Sequence, residues 1–340
     1  MKRSLRIAAL VAALIGVAPA FAQDKHVEWK FSYWIPPAHP LIPASQAWAD
    51  DIFKQSNGTI KITIFPAEQL GKAFDHYDMA RDGIAELTNV SPGYQPGRFP
   101  IFAAADIPFS IKNATGGSLA LAEWYQKYAA REMKEVKVCH AFVHDPGALH
   151  MVKKKVVVPA DLKGLKIRPA TATIAAFVTS LGGTNVQASA PETHDVLERG
   201  IADGFTFPWG SIFLFHIESV VKFHMDLPFY VTPFVTAMNI AKYNELSPAQ
   251  KKIIDEHCTP EWSEKLAAPW AAFEAAGRIK MKALPGHDVY ELTDAQVTLW
   301  RQAALPLRAR WAGNVKKLGL DPDAVMGELQ AALKKHDALY

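Results

Sequence analysis

Cysteine is scarce in this chain of 340 residues, which contains only Cys139 and Cys258. Neither cysteine lies in a Cys-x-x-Cys motif or near another catalytic signature. In an oxidising compartment the two thiols could pair, but their spacing fits no known disulfide framework. Of these two alternatives, we expect two separately buried free thiols.

A marked excess of charge of either sign is also missing. The chain carries 37 Lys and Arg against 34 Asp and Glu, a formal net charge of +3. Three of the basic residues, Lys2, Arg3 and Arg6, lie at the very start, so the remaining chain is balanced. Nucleic-acid binding requires a clustered basic face, whereas the short basic run at 153–155 is typical of a solvated loop. We therefore expect no nucleic-acid partner.

Long hydrophobic runs are absent beyond the first residues. An apolar run of 11 residues, from Ile7 to Val17, follows the basic start and precedes Ala20-Phe21-Ala22. A basic start, a short apolar run and an Ala-x-Ala site are the parts of a secretory signal peptide, which we place at 1–22. No later stretch reaches the ~18 apolar residues that a membrane span needs. We therefore expect an exported, soluble mature chain that begins near Gln23, without direct membrane insertion.

Motifs of common enzyme classes are missing as well. The sequence contains no Gly-x-Ser-x-Gly, no His-Glu-x-x-His and no glycine-rich phosphate loop. His140, His144 and His150 are close in sequence, but no cysteine or carboxylate stands at metal-ligand spacing from them. We therefore expect no enzyme, no metal site and no cofactor. A hydrolase assembled from residues far apart in sequence stays open as an alternative.

Strands and helices alternate along the chain. Apolar and polar residues alternate over 27–33, apolar residues recur at helical spacing over 41–55, and isoleucines alternate over 60–64. This order predicts a β-α-β unit with parallel strands and a right-handed crossover. A long helical pattern begins with a capping box at 247–250 and runs to about residue 284. Its prolines are expected to break or kink it.

The length and two candidate crossings indicate two lobes. About 318 mature residues exceed what one hydrophobic core usually serves. Turn-forming residues predict crossings of the chain at 144–150 and 228–233. The approximate limits are 23–145 with 234–270 for lobe I, and 146–233 with 271–340 for lobe II. The predicted fold class is α/β, with two lobes around a cleft that closes by hinge motion.

The stretch 161–169 contains the main candidate for ligand binding. Apolar and basic residues alternate from Leu165 to Arg168, as in a short strand. Pro169 cannot donate to a sheet ladder, so the strand would end at Arg168. Open α/β sheets bind ligands at the carboxyl ends of their strands, and a guanidinium there is a planar fork that matches a carboxylate. The alternatives are an Arg168 that pairs with an internal acid or lies on the surface.

Further candidate contacts lie on loops and at strand ends. Trp34 and His39 lie on the loop after the first strand, where they could form a stacked wall or only pack the loop. Phe207 and Trp209 stand at the end of a short strand and are expected to line the cleft. His150 could donate to a ligand or lie solvated at the hinge.

Six short motifs are spread over the chain. They are Pro-Ala-Glu-Gln-Leu-Gly at 66–71, Gly-Ile-Ala-Glu-Leu at 83–87, Gly-Tyr-Gln-Pro-Gly-Arg-Phe-Pro at 93–100, Asp-Ile-Pro-Phe at 106–109, Asp-Leu-Lys-Gly-Leu-Lys-Ile-Arg at 161–168, and Pro-Glu at 191–192 continuing to Asp-Gly at 203–204. In this order, behind a signal peptide, they resemble the substrate-binding proteins of tripartite ATP-independent periplasmic (TRAP) transporters, the DctP type. The likeness covers nearly the whole mature chain.

The resemblance implies a two-lobed periplasmic solute-binding fold with crossing strands and a long bracing helix, which 248–284 would supply. It also implies a periplasmic protein that captures a small organic acid and delivers it to the TRAP membrane subunits. In the family the Arg at the end of Lys-x-Arg pairs with the substrate carboxylate, and that role falls on Arg168. The position of Gln69 in its motif favours a hydrogen bond to the ligand. We expect a monomer.

Departures from the family pattern narrow the expected ligand. A second Arg, common about twenty residues before the first, is missing from Ala148-Leu149-His150. Phe207 replaces a frequent Asn, and Ala190 replaces a frequent aromatic residue. Because polar contacts are lost and flat apolar area is gained, we expect a monocarboxylate with an apolar or aromatic body rather than a dicarboxylate or sugar acid. A ligand-sensing module of a signalling receptor would share the fold and stays open as an alternative.

Overall fold

Two mixed β-sheets, each covered by helices, form the two lobes of the computed structural model, which describes residues 24–340. The predicted signal peptide at 1–22 lies outside these residues. The α/β, two-lobed prediction is confirmed. Within 24–340, no helix is both long enough and apolar enough to cross a membrane.

The sheet of lobe I has five strands in the order β2-β1-β3-β10-β4. Its strands are β1 (Val27–Ser32), β2 (Ile60–Phe65), β3 (Leu87–Val90), β4 (Val136–Val143) and β10 (Pro233–Asn239). β1 pairs in parallel with β2 and β3, as a β-α-β unit requires, and β10 is antiparallel to both β3 and β4. The carboxyl end of β1 therefore leads directly to the cleft, where Trp34 and His39 follow.

The sheet of lobe II has six strands in the order β11-β9-β5-β8-β6-β7. Its strands are β5 (Ala148–Met151), β6 (Lys166–Arg168), β7 (Thr184–Asn185), β8 (Gly204–Phe207), β9 (Phe223–Met225) and β11 (Asp288–Tyr290). β6 runs parallel to β8, so Arg168 and Phe207 stand at the same edge of the sheet. This edge faces lobe I.

Twelve helices cover the sheets of the described chain. They are α1 (Leu41–Gln55), α2 (His76–Arg81), α3 (Ala114–Tyr125), α4 (Ala129–Glu132), α5 (Ala172–Ser180), α6 (Thr193–Glu198), α7 (Trp209–Leu214), α8 (Ile240–Asn244), α9 (Pro248–Glu256), α10 (Pro260–Ala283), α11 (Asp294–Lys317) and α12 (Pro322–Lys335). Short 3₁₀ turns complete the loops.

The two lobes are joined by crossings at 144–147 and 226–232. The first crossing is shorter than the predicted 144–150, because 148–151 already forms β5. The crossings are hydrogen-bonded to each other: Gly147 N donates to the Tyr230 carbonyl at 2.8 Å, and Thr232 N donates to His144 Nε2 at 3.0 Å. A side chain from one crossing thus holds the backbone of the other.

The predicted long helix is two helices, with a break at 257–259. Thr259 caps a new helix and Pro260 occupies its first position, where a proline fits well. Pro269 lies inside α10 without ending it. α10 packs against α1, α3 and β4 of lobe I and against α7 of lobe II, so it braces both lobes.

The C-terminal residues depart from the predicted lobe limits, which assigned 271–340 to lobe II. α11 contributes Trp300 to the core of lobe II and Trp311 to the core of lobe I. α12 packs on α3 and adds Leu329 to the core of lobe I. The prediction is corrected here because α11 spans both lobes and carries the chain back to lobe I.

The two cysteines form a disulfide, and the prediction of two free thiols is wrong. Cys139 on β4 is bonded to Cys258 in the break before α10. The two residues are 119 positions apart in sequence. They meet because α10 packs directly on β4. The bond ties the start of the bracing helix to the sheet of lobe I.

Candidate ligand-binding site

Arg168 is the last residue of β6 and only 1% of its surface is exposed. Its Nε–H donates to the Ala188 carbonyl at 2.9 Å, Nη1 lies 3.5 Å from the Thr206 carbonyl, and Nη2 donates to the Tyr94 hydroxyl at 3.2 Å. In the described part of the chain, no carboxylate forms an ion pair with it. Because a guanidinium has five N–H groups, one on each terminal nitrogen is left for a carboxylate, in the two-oxygen geometry that suits a fork.

Local sequence explains why Arg168 stands at this edge. Pro169 ends the strand, as predicted, and Ala170 N donates to the Thr206 hydroxyl at 2.8 Å. Thr171 then caps α5 by accepting from Ile174 N. The chain therefore turns away at once, and the guanidinium remains at the strand end facing the cleft.

Tyr94 is a site residue that the sequence analysis did not single out. It lies in the Pro-Gly loop of lobe I, and its hydroxyl accepts hydrogen bonds from Arg168 Nη2 and from Ala190 N, the latter at 2.9 Å. Burial raises the pKa of Tyr94, so the hydroxyl keeps its proton and can donate it to a third group. This contact joins the two lobes next to the free edge of the guanidinium.

A cavity lined by aromatic rings opens beside Arg168. Phe207 and Phe215 come from lobe II, and Trp34 and Phe234 come from lobe I. The guanidinium carbon lies 5.6 Å from the centroid of the Phe207 ring. The small side chain of Ala190 also lines the cavity. The arrangement suits a flat apolar body whose acidic group reaches Arg168.

Trp34 and His39, both predicted, lie in the wall of this cavity. Trp34 is 5% exposed, and its ring stands 6.2 Å from that of Tyr94. His39 is buried and packs its ring against Trp270 with centroids 4.8 Å apart. Burial, with a smaller effect of His144, lowers the pKa of His39 to about 3. Contact of either residue with a ligand stays a prediction.

Glu274 on α10 positions the wall of the cavity from behind. Its carboxylate accepts from the Trp270 indole N–H at 2.6 Å and from Ser211 N at 3.0 Å, and it also accepts from Gly210 N and the Ser211 hydroxyl. Burial raises the pKa of Glu274 to about 7, and these four donors oppose that rise. The bracing helix thereby holds Trp270 and the start of α7 in one arrangement.

Two predicted aromatic contacts lie outside the cavity, and these predictions are corrected. Trp209 is the first residue of α7 and packs its ring on His150, with centroids 4.9 Å apart. His150 lies opposite Phe205, two residues back from the end of β8. Its Nε2 donates to the Phe207 carbonyl at 3.0 Å and its Nδ1 is 2.9 Å from His224 Nδ1. With both ring nitrogens engaged, His150 has no group left to replace the missing Arg.

Gln69, predicted to contact the ligand, lies away from the cavity. It is exposed and is not part of the cavity wall. Ala67 and Glu68 before it both adopt positive φ, 53° and 58°, and their amides bond back to Ile35 and Tyr33. This tight turn directs the following side chain outward. The motif at 66–71 therefore serves the backbone path of lobe I.

A second, larger cavity lies beside the first and shares Tyr94 and Ala170 with it. The space open to water-sized molecules is about 450 Å³ there and about 30 Å³ in the cavity at Arg168. The larger cavity contains the buried Asp106 carboxyl, whose pKa burial raises to about 8. The cation that lines the larger cavity, Arg310, is exposed. The smaller cavity, with its buried guanidinium, is therefore the better site for an acid.

Two α/β lobes around a buried, unpaired guanidinium define a two-lobed solute-binding protein. The model of one family, bacterial extracellular solute-binding protein family 7 (DctP), matches residues 31–314. The chain belongs to this family, and it is a TRAP solute-binding protein.

Three solved structures of this class are similar to the chain over most of its length. A TRAP solute-binding protein from Rhodoferax ferrireducens, in complex with copurified benzoate, is 30% identical with a TM-score of 0.86, covering 92% of this chain and 98% of that one. One from a marine metagenome, specific for aromatic acid ligands and crystallised with 3-hydroxybenzoate, is 31% identical with a TM-score of 0.85, covering 92% and 99%. One from Bordetella bronchiseptica, with bound (R)- and (S)-mandelate, is 27% identical with a TM-score of 0.85, covering 91% and 99%.

Proposed function

We propose that this protein captures an aromatic monocarboxylate in the periplasm and delivers it unchanged to the membrane subunits of a TRAP transporter. Arg168 binds the carboxylate through its two free N–H groups, and Tyr94 donates its hydroxyl proton to the same group. The ring lies between Phe207 of lobe II and Trp34 of lobe I. The observation that carries the proposal is a guanidinium that is 1% exposed and forms no ion pair with the described residues.

The lining of the cavity supports an aromatic body over a polar one. The rings of Trp34, Phe207 and Phe234 line it, and such walls suit a flat apolar ring better than a hydroxylated sugar ring. A sugar acid would bury several hydroxyls among aromatic side chains, and each unpaired hydroxyl costs roughly 1–3 kcal/mol. The aromatic acids bound by the three similar structures agree with this choice.

The arrangement of the lobes supports capture and release. Tyr94 of lobe I touches Arg168 of lobe II only when the lobes are close together. A carboxylate bound at this point contacts both lobes and therefore favours the closed arrangement over an open one. Opening at the crossings 144–147 and 226–232 would free the ligand at the membrane subunits.

The test is a comparison of acids with the exported protein. Mass spectrometry of the protein under gentle conditions identifies any acid that copurifies, and calorimetric titration then compares benzoate with D-glucuronate. We expect an aromatic acid to copurify unchanged, and benzoate to bind at least 100-fold more tightly than D-glucuronate, since each hydroxyl left unpaired costs about one power of ten. Tight binding of the sugar acid with no binding of benzoate would refute the proposal.

A further inference from the structure

A hydrogen bond from the start of α1 selects one tautomer of the neutral His39 ring. Leu41 N–H, the first amide of that helix, donates to His39 Nδ1 at 3.1 Å. Amides at a helix start have no partner within the helix, so this bond satisfies a group that would otherwise be unpaired. A ring nitrogen that accepts a hydrogen bond carries no proton. The neutral imidazole therefore carries its proton on Nε2.

The Nε2–H group of His39 faces the cavity beside Arg168. The residue lines that cavity although only 1% of its surface is exposed. Among residues 24–340, Nε2 has no hydrogen-bond partner, and it is not one of the unpartnered atoms that are sealed from solvent. At least part of the small remaining exposure of His39 is therefore at this nitrogen. The edge-on contact with Trp270 fixes the plane of the ring.

We propose that His39 donates Nε2–H to a second oxygen of the ligand, separate from its carboxylate. The preferred ligands are then aromatic acids that carry a hydroxyl or carbonyl group. This inference rests on the proposed function, because it assumes that the carboxylate of an aromatic acid is bound at Arg168. Thr232 supplies a hydroxyl to the same cavity and offers an acceptor for the proton of a ligand hydroxyl.

Selectivity follows from the cost of an unpaired donor. When an aromatic acid without a second oxygen binds, the His39 N–H loses its contact with water and gains no acceptor from the ligand. This unpaired donor weakens binding. Sites built to hydrogen-bond a ligand oxygen discriminate strongly against the analogue that lacks it. Because His39 belongs to lobe I and Arg168 to lobe II, a ligand with both oxygens contacts both sides of the cleft.

Two substitutions separate the two nitrogens of the ring. In His39→Asn the side-chain oxygen can still accept from Leu41 N–H, but nothing replaces Nε2–H. In His39→Gln the amide nitrogen falls near the position of Nε2. The dissociation constants of benzoate and of 2-, 3- and 4-hydroxybenzoate are measured by calorimetry for the exported protein and both variants.

The unaltered protein is expected to bind at least one hydroxybenzoate at least tenfold more tightly than benzoate. His39→Asn should remove that preference by weakening hydroxybenzoate binding and tightening benzoate binding, because the donor left unpaired against benzoate is gone, whereas His39→Gln should retain part of the preference. Three outcomes would overturn the inference: no preference in the unaltered protein, a preference that survives in His39→Asn, or an equal loss for both acids. If the unaltered protein binds none of the four acids, the proposed function itself fails.

Discussion

Arg168 and Tyr94 come from different lobes and meet through a single hydrogen bond of 3.2 Å. The Tyr94 hydroxyl accepts from Arg168 and from Ala190 N, which leaves its own proton for the ligand. The residues that carry this proton and the two free N–H groups, Tyr94 and Arg168, line the same cavity. At the scale of residues, the proposed carboxylate site therefore has three candidate donors, of which two belong to the guanidinium.

Tyr94→Phe tests this third donor. The variant loses the donor to the carboxylate and leaves Ala190 N–H without its acceptor, so benzoate should bind about tenfold more weakly, in line with the loss of one hydrogen bond of roughly 1–1.5 kcal/mol. Calorimetric titration measures the change. Tyr243→Phe, which removes a hydroxyl bound to Asp255 at the surface, is the control and should bind benzoate as before. An unchanged affinity in Tyr94→Phe would mean that the hydroxyl only packs its loop.

A site residue is predictable from the sequence where the feature that places it lies close to it in the sequence. Arg168 was found because Pro169 ends the strand directly after it. Tyr94 is missed because its partners, Arg168 and Ala190, are 74 and 96 positions away, and its own loop is rich in turn formers. Trp209 was misplaced because a helix begins at that residue and turns its ring toward His150.

At the scale of elements, α7 and α10 touch through two glycines. A Cβ on Gly277 would meet the backbone of Gly210 and of Trp209, so the helices approach as closely as backbones allow. The same contact brings Gly210 N and Ser211 N to the carboxylate of Glu274. Close packing of these two helices thus positions the wall of the cavity.

Gly277→Ala is expected to separate α7 from α10. Overpacking of this kind costs roughly 1–3 kcal/mol of unfolding free energy, and the shift should also weaken benzoate binding because Trp270 and Ser211 share Glu274. Urea unfolding and titration measure the two effects. Gly313→Ala on α11 is the matched control: its Cβ meets nothing within 4 Å, so stability should hold or rise by up to about 1 kcal/mol. Equal behaviour of the two variants would contradict this account of the contact.

Elements with strong local signals were predictable, whereas those fixed by distant partners were not. The capping box at 247–250 is present as predicted. β5 was read as part of a crossing because its four residues form a strand only by pairing with β8 and β9. The disulfide was missed for the same reason, since β4 and the start of α10 meet only in the folded chain.

At the scale of the whole molecule, many titratable groups are buried in their neutral forms. Burial lowers the pKa of His140, His144 and His150 to about 4 and that of His39 to about 3. These rings take up protons near pH 6.5 when unfolded but not when folded, so they destabilise the fold as pH falls from 6.5 toward 4. Asp106 acts in the opposite direction. Burial raises its pKa from 3.8 to about 8, so it lowers the stability of the fold progressively as pH rises from about 4 to 8.

The free energy of unfolding is therefore expected to be greatest near pH 6.5. Each uncompensated proton changes it by about 1.4 kcal/mol per pH unit. Because more histidines than acids are affected, the decrease between pH 6.5 and 5 should be steeper than that between pH 6.5 and 8. Urea unfolding at these three values measures it. Asp106→Asn should flatten the alkaline side and steepen the acid side, because folded Asp106 keeps its proton throughout this range while the unfolded chain has lost it. A stability that is constant from pH 5 to 8 would contradict the buried neutral histidines.

Arg168 is the proposed partner of the ligand carboxylate and the central residue of the proposed function. The decisive measurement is the affinity for benzoate of Arg168→Lys beside that of Arg310→Lys, an equal change at the larger cavity. An ammonium is not a two-donor fork, and truncating a buried charge pair costs about 2–5 kcal/mol, so Arg168→Lys should bind roughly 100-fold more weakly or worse while Arg310→Lys binds normally. Unchanged binding by Arg168→Lys, or a loss confined to Arg310→Lys, would contradict the account.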